Sequence, residues 1–279
     1  MKATDDCRYC LEGLLRQAVE LATREPELRA RVIDEGLSFL DREFSTEKTS
    51  IAVATPLHRL VRDLTGNADP YSGVKEAEVE MAAEIRRSLD KNPGRDLREC
   101  LIYAVRGNSI DFFKDRQEIM EAMAGPVAFV IDDTVKLEER MEEAGNILYL
   151  ADNAGEQPFD LPLVRLLGSY APVTYVVKES PVQDDLTLAD LEKFQMAPEL
   201  PRVTSTGTDT PGVDMDIASV EFKEEFEGAD LVLAKGMGYW ETLSELPQQG
   251  KVFHLLKAKC RPVAESIGVP LNGYVALLR

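Results

Sequence analysis

Apolar and polar residues follow one another with two different periods along this 279-residue chain. In the first hundred residues, apolar side chains recur every three or four positions, as between Leu11 and Ala22, which is typical of amphipathic helices. The third of the predicted helices ends at Gly66-Asn67, a common helix stop signal. The pattern predicts further helices at 33–44, 55–65, 74–89 and 97–105.

Farther along the chain, short continuous apolar runs replace the helical period, and such runs are typical of strands buried on both faces. The predicted strands are 147–150, 173–177, 231–234, 252–256 and 274–278. Between them lie segments with helical spacing at 161–167, 188–194, 218–226, 240–246 and 262–267. This alternation predicts βαβ units and a mostly parallel sheet, in an α/β fold. The Pro-, Thr- and Gly-rich stretch 197–212 is predicted to be a long loop.

Polar clusters follow four of the predicted strands. Because parallel strands end at the same edge of a sheet, we expect the four clusters to converge there. Carboxylate and amide oxygens suit a hard divalent cation, and lysines suit an anion, so a phosphate held between them is the simplest interpretation. The clusters are Asp152, Asn153 and Glu156; Lys178, Asp184 and Asp185; Lys235, Gly236 and Gly238; and Lys257, Lys259 and Cys260.

Each cluster also has a structural explanation. A single Asp at a strand end is more often a helix N-cap than a catalytic group, and Gly236-x-Gly238 lacks the full dinucleotide-binding pattern. Cys7 and Cys10 form a lone C-x-x-C, for which two thiols on the first turn of a helix is a stronger interpretation than zinc binding. His58 and His254 lie within predicted elements and are expected to be structural.

The charge of the chain narrows the possible partners. A formal net charge of -18 at pH 7 argues against nucleic acid or an anionic membrane surface as a partner. Apolar runs are too short to span a bilayer, and the N-terminus lacks the apolar core of a signal peptide. We therefore expect a cytoplasmic location, where the four cysteines would be thiols.

Seven motifs, taken together and in order, resemble the metal-dependent damage-control phosphatases, a former domain-of-unknown-function family. The resemblance is greatest to a short archaeal and bacterial branch with an N-terminal C-x-x-C. The strongest motif is Leu148-Tyr-Leu-Ala-Asp152-Asn153-Ala-Gly-Glu156-Gln-Pro-Phe-Asp160. The others lie at 7–10, 64–71, 106–111, 181–187, 229–236 and 255–260.

This resemblance implies a helical N-terminal portion, residues 1–95, and a three-layer α/β/α catalytic domain, residues 96–279. It implies a divalent cation (Mg, Mn, Co or Ni) bound by Asp152, Asn153 and Asp185. The implied activity is hydrolysis of small phosphorylated metabolites, either sugar phosphates or damaged phosphometabolites. No oligomeric state is implied.

The resemblance also assigns roles around the phosphate. Lys235 and Gly236 are expected beside it, and Asn108 and Asp111 match a motif of the pocket wall. We predict that Lys235 neutralises charge on the phosphoryl oxygens and that Glu156 or Asp184 orients or deprotonates the attacking water.

Two departures from the family pattern concern specificity. This chain has Asp184-Asp185 where relatives usually have Asn-Asp, and Gly236-Met237-Gly238-Tyr239 where they often have Gly-Gln-Gly-Asn. Two alternative functions remain: an S-adenosylmethionine-dependent carboxyl methyltransferase, and a non-enzymatic metal- or metabolite-binding protein in which Cys7 and Cys10 act as a sensor.

Overall fold

The computed structural model describes residues 1–88, 93–94, 96–110, 116–247 and 249–279, and a sheet of seven described strands forms its centre. The strands are β1 (Phe129–Asp132), β2 (Ile147–Leu150), β3 (Val173–Val177), β4 (Arg202–Ser205), β5 (Leu231–Lys235), β6 (Val252–Lys257) and β7 (Tyr274–Leu278). Their spatial order is β1-β7-β6-β5-β2-β3-β4.

The predicted mostly parallel sheet is confirmed. Strands β6, β5, β2, β3 and β4 pair in parallel, whereas β7 lies antiparallel to β6 and parallel to β1. From β2 the chain moves outward to β3 and β4, then returns to place β5 on the other side of β2. The sheet order therefore reverses between β2 and β5, the place where open α/β sheets bind ligands.

Helices make up the N-terminal part of the chain, and helices also cover both faces of the sheet. The described α-helices are α1 (Asp5–Ala22), α2 (Pro26–Glu43), α3 (Ser50–Thr65), α4 (Ser72–Ser88), α5 (Leu97–Gly107), α6 (Arg116–Ala124), α7 (Thr134–Glu143), α8 (Gln157–Leu167), α9 (Leu188–Lys193), α10 (Val220–Gly228), α11 (Gly236–Leu243) and α12 (Arg261–Ile267). Gly66 ends α3 in the left-handed conformation, at φ 69°, which glycine adopts without strain.

Alternate side chains of the strands enter two separate apolar cores. Ile147 and Tyr149 of β2 pack into the core formed with α5, α7, α8 and α9. Leu148 and Leu150 face the opposite core, which is shared with α10 and α11. Because both faces are covered, all four residues of β2 are buried, which explains the continuous apolar run in its sequence.

Helices α1, α2 and α3 form a third core of their own, in which Leu15, Val32 and Leu57 are buried. Buried Lys75 of α4 provides a polar link to the sheet domain. Its ammonium group lies 2.7 Å from Asp69 Oδ2 and 2.8 Å from Asp190 Oδ2, at the start of α9. An ion pair of this kind fixes the two parts through charge and geometry rather than through apolar packing.

Some elements were not predicted, namely β1, β4, α6 and α7. The predicted loop 197–212 was wrong in part, since it contains the 3-10 helix Ala197–Glu199 and strand β4. The predicted domain boundary falls at residue 95, which lies outside the described residues, and the division into 1–95 and 96–279 stays a prediction. Among the helices that the structure describes, none is long and apolar enough to cross a membrane.

Candidate active site

A cavity of about 530 Å³ opens at the carboxyl edge of the sheet, and all four polar clusters contribute to its lining. We call the side formed by these clusters the strand-end wall; it includes Asp152, Asn153, Asp184, Asp185, Gly236, Met237, Lys257 and Lys259. A second part of the lining comes from the N-terminal helices, and we call it the α1/α3 wall; it includes Leu11, Leu14, Ile51 and Ala54. The convergence expected from the parallel sheet is therefore present.

Backbone pairing between two loops holds the three predicted metal ligands together. Asn153 and Asp185 form an isolated antiparallel bridge, and Leu186 N–H donates to Asp152 O at 2.9 Å. The Asn153 amide also donates to Asp184 Oδ2 at 2.8 Å. The loops after β2 and β3 thus fix the Asp152, Asn153 and Asp185 backbones relative to one another.

Gly236, at the start of α11, brings a second loop against Asp152. Its φ is +80°, and a Cβ built there would lie 1.8 Å from Asp152 Oδ2. Both the backbone conformation and the space exclude a larger side chain. The absence of that side chain leaves the Asp152 carboxylate in place beside the first turn of α11.

Behind this surface lies a buried ion cluster. Lys235 Nζ donates to Glu156 Oε2 at 2.7 Å and to Asp160 Oδ1 at 2.8 Å. The Asn108 amide donates to both oxygens of Glu156, at 2.5 and 2.6 Å. Tyr175 O–H donates to the other oxygen of Asp160 at 3.2 Å. Each carboxylate therefore has partners, which is what makes such burial tolerable.

Burial and neighbouring charges together set the pKa values of the buried groups. Burial raises the pKa of Asp152 well above its usual range, and the like charges of Glu156 and Asp185 raise it further. Burial also raises the pKa of Asp185, which Lys178 opposes. Burial lowers the pKa of Lys235, but the charges of Asp160 and Glu156 outweigh it, and the net shift is upward. Lys235 is therefore an ammonium ion.

The oxygen atoms at the strand-end wall fit a divalent cation. Buried Asp185 Oδ2 and Asn108 Oδ1 have no hydrogen-bond partner among the described residues, although Lys178 Nζ lies 3.5 Å from that Asp185 oxygen. Oxygen donors of this type suit Mg²⁺ or Mn²⁺. In the described part of the chain, no three His, Cys, Asp or Glu side chains form a group that could hold a metal ion. The predicted ligand set contains only two residues of these types, Asp152 and Asp185, because its third ligand is Asn153.

The remaining predicted residues take different places. Asn108 lines the cavity, whereas Lys235 and Glu156 are fully buried and contact each other. Asp111 lies outside the described residues. Their predicted roles, like those of the metal ligands, stay predictions.

Sequence reasoning missed Asp160 as a member of the ion cluster, and it missed that the N-terminal helices line the cavity. Asp160 follows Glu156 by one helical turn, so the two carboxylates face the same way, and that spacing was the available signal. By contrast, Lys178 was within a predicted cluster. It donates to Gly212 O and, at 3.0 Å, to the hydroxyl of Tyr239, a residue at which the chain departs from the family pattern.

The cysteines and histidines largely match their structural interpretation. Cys7 lies in the first turn of α1, as predicted, and it lines the cavity together with Cys10 and Cys260. His58 and His254 are buried, and burial lowers their pKa values to about 4 and about 3.

Comparison with known proteins gives matches along the whole chain. Residues 5–275 match the model of the damage-control phosphatase ARMT1-like domain. The chain is 33% identical to the damage-control phosphatase PH1575 of Pyrococcus horikoshii, covering 99% of this chain and 98% of that protein. It is 29% identical to a damage-control phosphatase of Archaeoglobus fulgidus, with 99% of each chain covered.

A solved structure has the same fold. The crystal structure of PH1575, described as a DUF89 family protein, superposes with a TM-score of 0.90 at 31% identity. The match covers 100% of this chain and 99% of the other. At this coverage the likeness includes both the helical N-terminal part and the sheet.

Proposed function

The chain belongs to the damage-control phosphatase family with the ARMT1-like domain, and we propose that it is a metal-dependent phosphomonoesterase of small damaged phosphometabolites. One observation carries the finer part of this proposal. Oxygen donors for a cation, lysines for an anion and a helix N-terminus all lie on the strand-end wall of one cavity. A phosphate monoester is the substrate that uses all three.

Asp152, Asn153 and Asp185 would hold the cation. When bound there, a divalent cation would polarise a phosphoryl oxygen and make the attacking water a better nucleophile. The protein's own contribution is to fix these donors, through the Asn153–Asp185 bridge and the packing of Gly236 against Asp152. Oxygens held in place before the substrate arrives need not reorganise during reaction.

The phosphoryl oxygens have two sets of partners in this chain. Lys257 and Lys259 line the cavity and place positive charge beside it. The backbone N–H groups at the start of α11 lie at Gly236, Met237 and Gly238, where a helix N-terminus favours an anion. Lys235 acts one layer behind, as a buried cation that orients Glu156 and balances its charge.

Asp184 is the better candidate to orient and deprotonate the water. It lines the cavity, and the Asn153 amide fixes one of its oxygens at 2.8 Å. Glu156 is fully buried, and Asn108 and Lys235 already occupy its oxygens. We therefore assign Glu156 to positioning and Asp184 to proton transfer.

Family membership does not favour the two alternatives, the S-adenosylmethionine-dependent methyltransferase and the non-enzymatic binding protein. Relatives named as phosphatases match nearly the full length of the chain.

Phosphate release from metal-stripped protein tests the proposal, with Mg, Mn, Co or Ni added back singly. We expect metal-dependent release that falls about 100-fold or more in Asp152→Ala, because a cation ligand is lost at the reacting centre. Asp63→Ala, which removes an exposed carboxylate on α3, is the matched control and should keep full activity. Metal binding without release in the wild-type protein would contradict the proposal, as would undiminished release by Asp152→Ala.

A further inference from the structure

The α1/α3 wall differs chemically from the strand-end wall. Leu11 and Leu14 of α1 and Ile51 and Ala54 of α3 present hydrocarbon to the same cavity that holds the oxygens and lysines. A cavity of about 530 Å³ is large enough for a ligand well beyond a phosphate group. This hydrocarbon is therefore available to the part of the substrate that is not phosphate.

Two polar groups on that side are already bonded within the protein, and a third, the Asp6 carboxylate, lies 3.8 Å from Arg261 Nε of α12. Ser50 Oγ donates to Glu241 Oε1 at 3.0 Å, and Gln17 Oε1 accepts from Tyr71 O–H at 2.9 Å. Burial raises the pKa of Glu241, which favours its uncharged form. Substrate hydroxyls placed here would compete with bonds that the protein has already made.

Three thiols extend the same surface toward α12. Cys7, Cys10 and Cys260 all line the cavity, and burial raises the pKa of Cys260 to about 11, which keeps it a neutral thiol. A neutral thiol behaves as a small apolar side chain with weak hydrogen-bonding ability. Cys260 therefore adds to the apolar character of the cavity beside the α1/α3 wall.

We propose that the α1/α3 wall is a subsite for an apolar alcohol portion, so that the preferred substrate is a phosphate monoester with a hydrocarbon-rich leaving group. This inference rests on the proposed function and names its substrate class. Sugar hydroxyls buried against Leu14 and Ile51 would lose water without gaining a partner from these side chains, which opposes binding. A hydrocarbon group would gain from leaving water at the same place.

A matched pair of esters isolates this effect. Glucose 6-phosphate and cyclohexylmethyl phosphate both carry phosphate on a primary carbon attached to a six-membered ring, and they differ mainly in the ring oxygen and hydroxyls. We expect kcat/KM to be at least about tenfold higher for cyclohexylmethyl phosphate with the activating metal. Leu14→Thr should reduce this ratio severalfold, mainly through KM for the apolar ester. Leu21→Thr changes the same residue type on α1, where Leu21 packs in the helical core, and should leave the ratio unchanged.

Thermal unfolding establishes that each variant is folded, and Ala54→Ser provides a second, smaller change in the wall if Leu14→Thr is unstable. Equal or higher kcat/KM for the sugar phosphate would overturn the inference while leaving the phosphatase in place. An apolar preference that neither wall variant alters would also overturn it.

If neither ester were hydrolysed with any metal, the proposed function would fail instead. Calorimetric binding of the two corresponding phosphonates, which cannot be hydrolysed, would then test the subsite by itself. Tighter binding of the cyclohexyl compound would support the subsite, and equal binding would overturn it.

Discussion

The two walls of the cavity are built by opposite physical means. The strand-end wall rests on buried ions, in which Glu156, Lys235 and Asp160 are linked at 2.7 and 2.8 Å. The α1/α3 wall rests on apolar packing within its own helical core. Buried charges accept few arrangements, whereas packed leucines tolerate exchange among apolar residues. This fold can therefore keep the arrangement of its buried ions while the residues of the α1/α3 wall change.

Removing the charge of Lys235 should destabilise the strand-end wall and give the largest loss in the free energy of unfolding. In Lys235→Met, Glu156 and Asp160 would lose their buried cation, and we expect the free energy of unfolding to fall by about 3–5 kcal/mol. Urea unfolding measures this change. Lys136→Met, at a lysine that is 62% exposed, is the control and should change stability by less than about 1 kcal/mol. A similarly small change in Lys235→Met would mean that the ion cluster is not what stabilises this wall.

A pH series tests burial in both parts of the molecule, because α3 and β6 each contain one buried histidine. His254 of β6 and His58 of α3 have folded pKa values of about 3 and about 4, both lowered chiefly by burial. The unfolded chain binds their protons below pH 6.5, so stability falls as pH drops from 6.5 toward these values. Between pH 7 and pH 5 each histidine should lower the free energy of unfolding by about 2 kcal/mol.

His254→Leu should therefore show a pH dependence flatter by that amount in urea unfolding, and His58→Gln should flatten it likewise. An unchanged slope in either variant would show that the histidine concerned is not buried in its neutral form.

The attachment of the helices to the sheet domain should give the smallest effect. Arg59 and Arg62 of α3 both donate to Asp209, and Arg62 also donates to Pro181 O in the loop that leads to Asp185. Arg59 is 46% exposed, whereas Arg62 and Asp209 are 17% and 10% exposed, so water screens the Arg59 pair more than the Arg62 pair. We expect Asp209→Asn to cost about 1–2 kcal/mol of stability. Asp41→Asn, at an aspartate that is 73% exposed, is the matched control. A loss of stability as large as that of Lys235→Met would mean that this junction stabilises the fold as strongly as the buried ion cluster does.

The central strands could be predicted from sequence, and the edge strands could not. The bounds of β2, β3 and β7 agree with their apolar runs because both faces of the sheet are covered there. By contrast, β1 and β4 lie at the two edges, and Val130 of β1 is 51% exposed. An edge strand that is buried only in part lacks the apolar run that identifies a strand.

The strand-end wall was predictable for the same reason, since its clusters directly follow the central strands. The α1/α3 wall was not, because α1 reaches the cavity through packing against parts of the chain far away in sequence. Likewise, spacing alone could not show that Lys235 forms ion pairs with Glu156 and Asp160. Local sequence patterns identified polar groups, and only the folded contacts separated those that line the cavity from those buried behind it.

The position of β7 between β1 and β6 has a consequence for how quickly the protein folds. Phe129 of β1 pairs with Tyr274 of β7, so the β1 edge can join the sheet only after a distant segment has docked on β6. Contacts between such distant segments slow folding because a long loop must close first. Until then β6 presents an open, unpaired edge, the kind of surface from which misfolded chains associate. Chaperone demand during refolding should therefore depend on the β6–β7 pairing more than on either wall of the cavity.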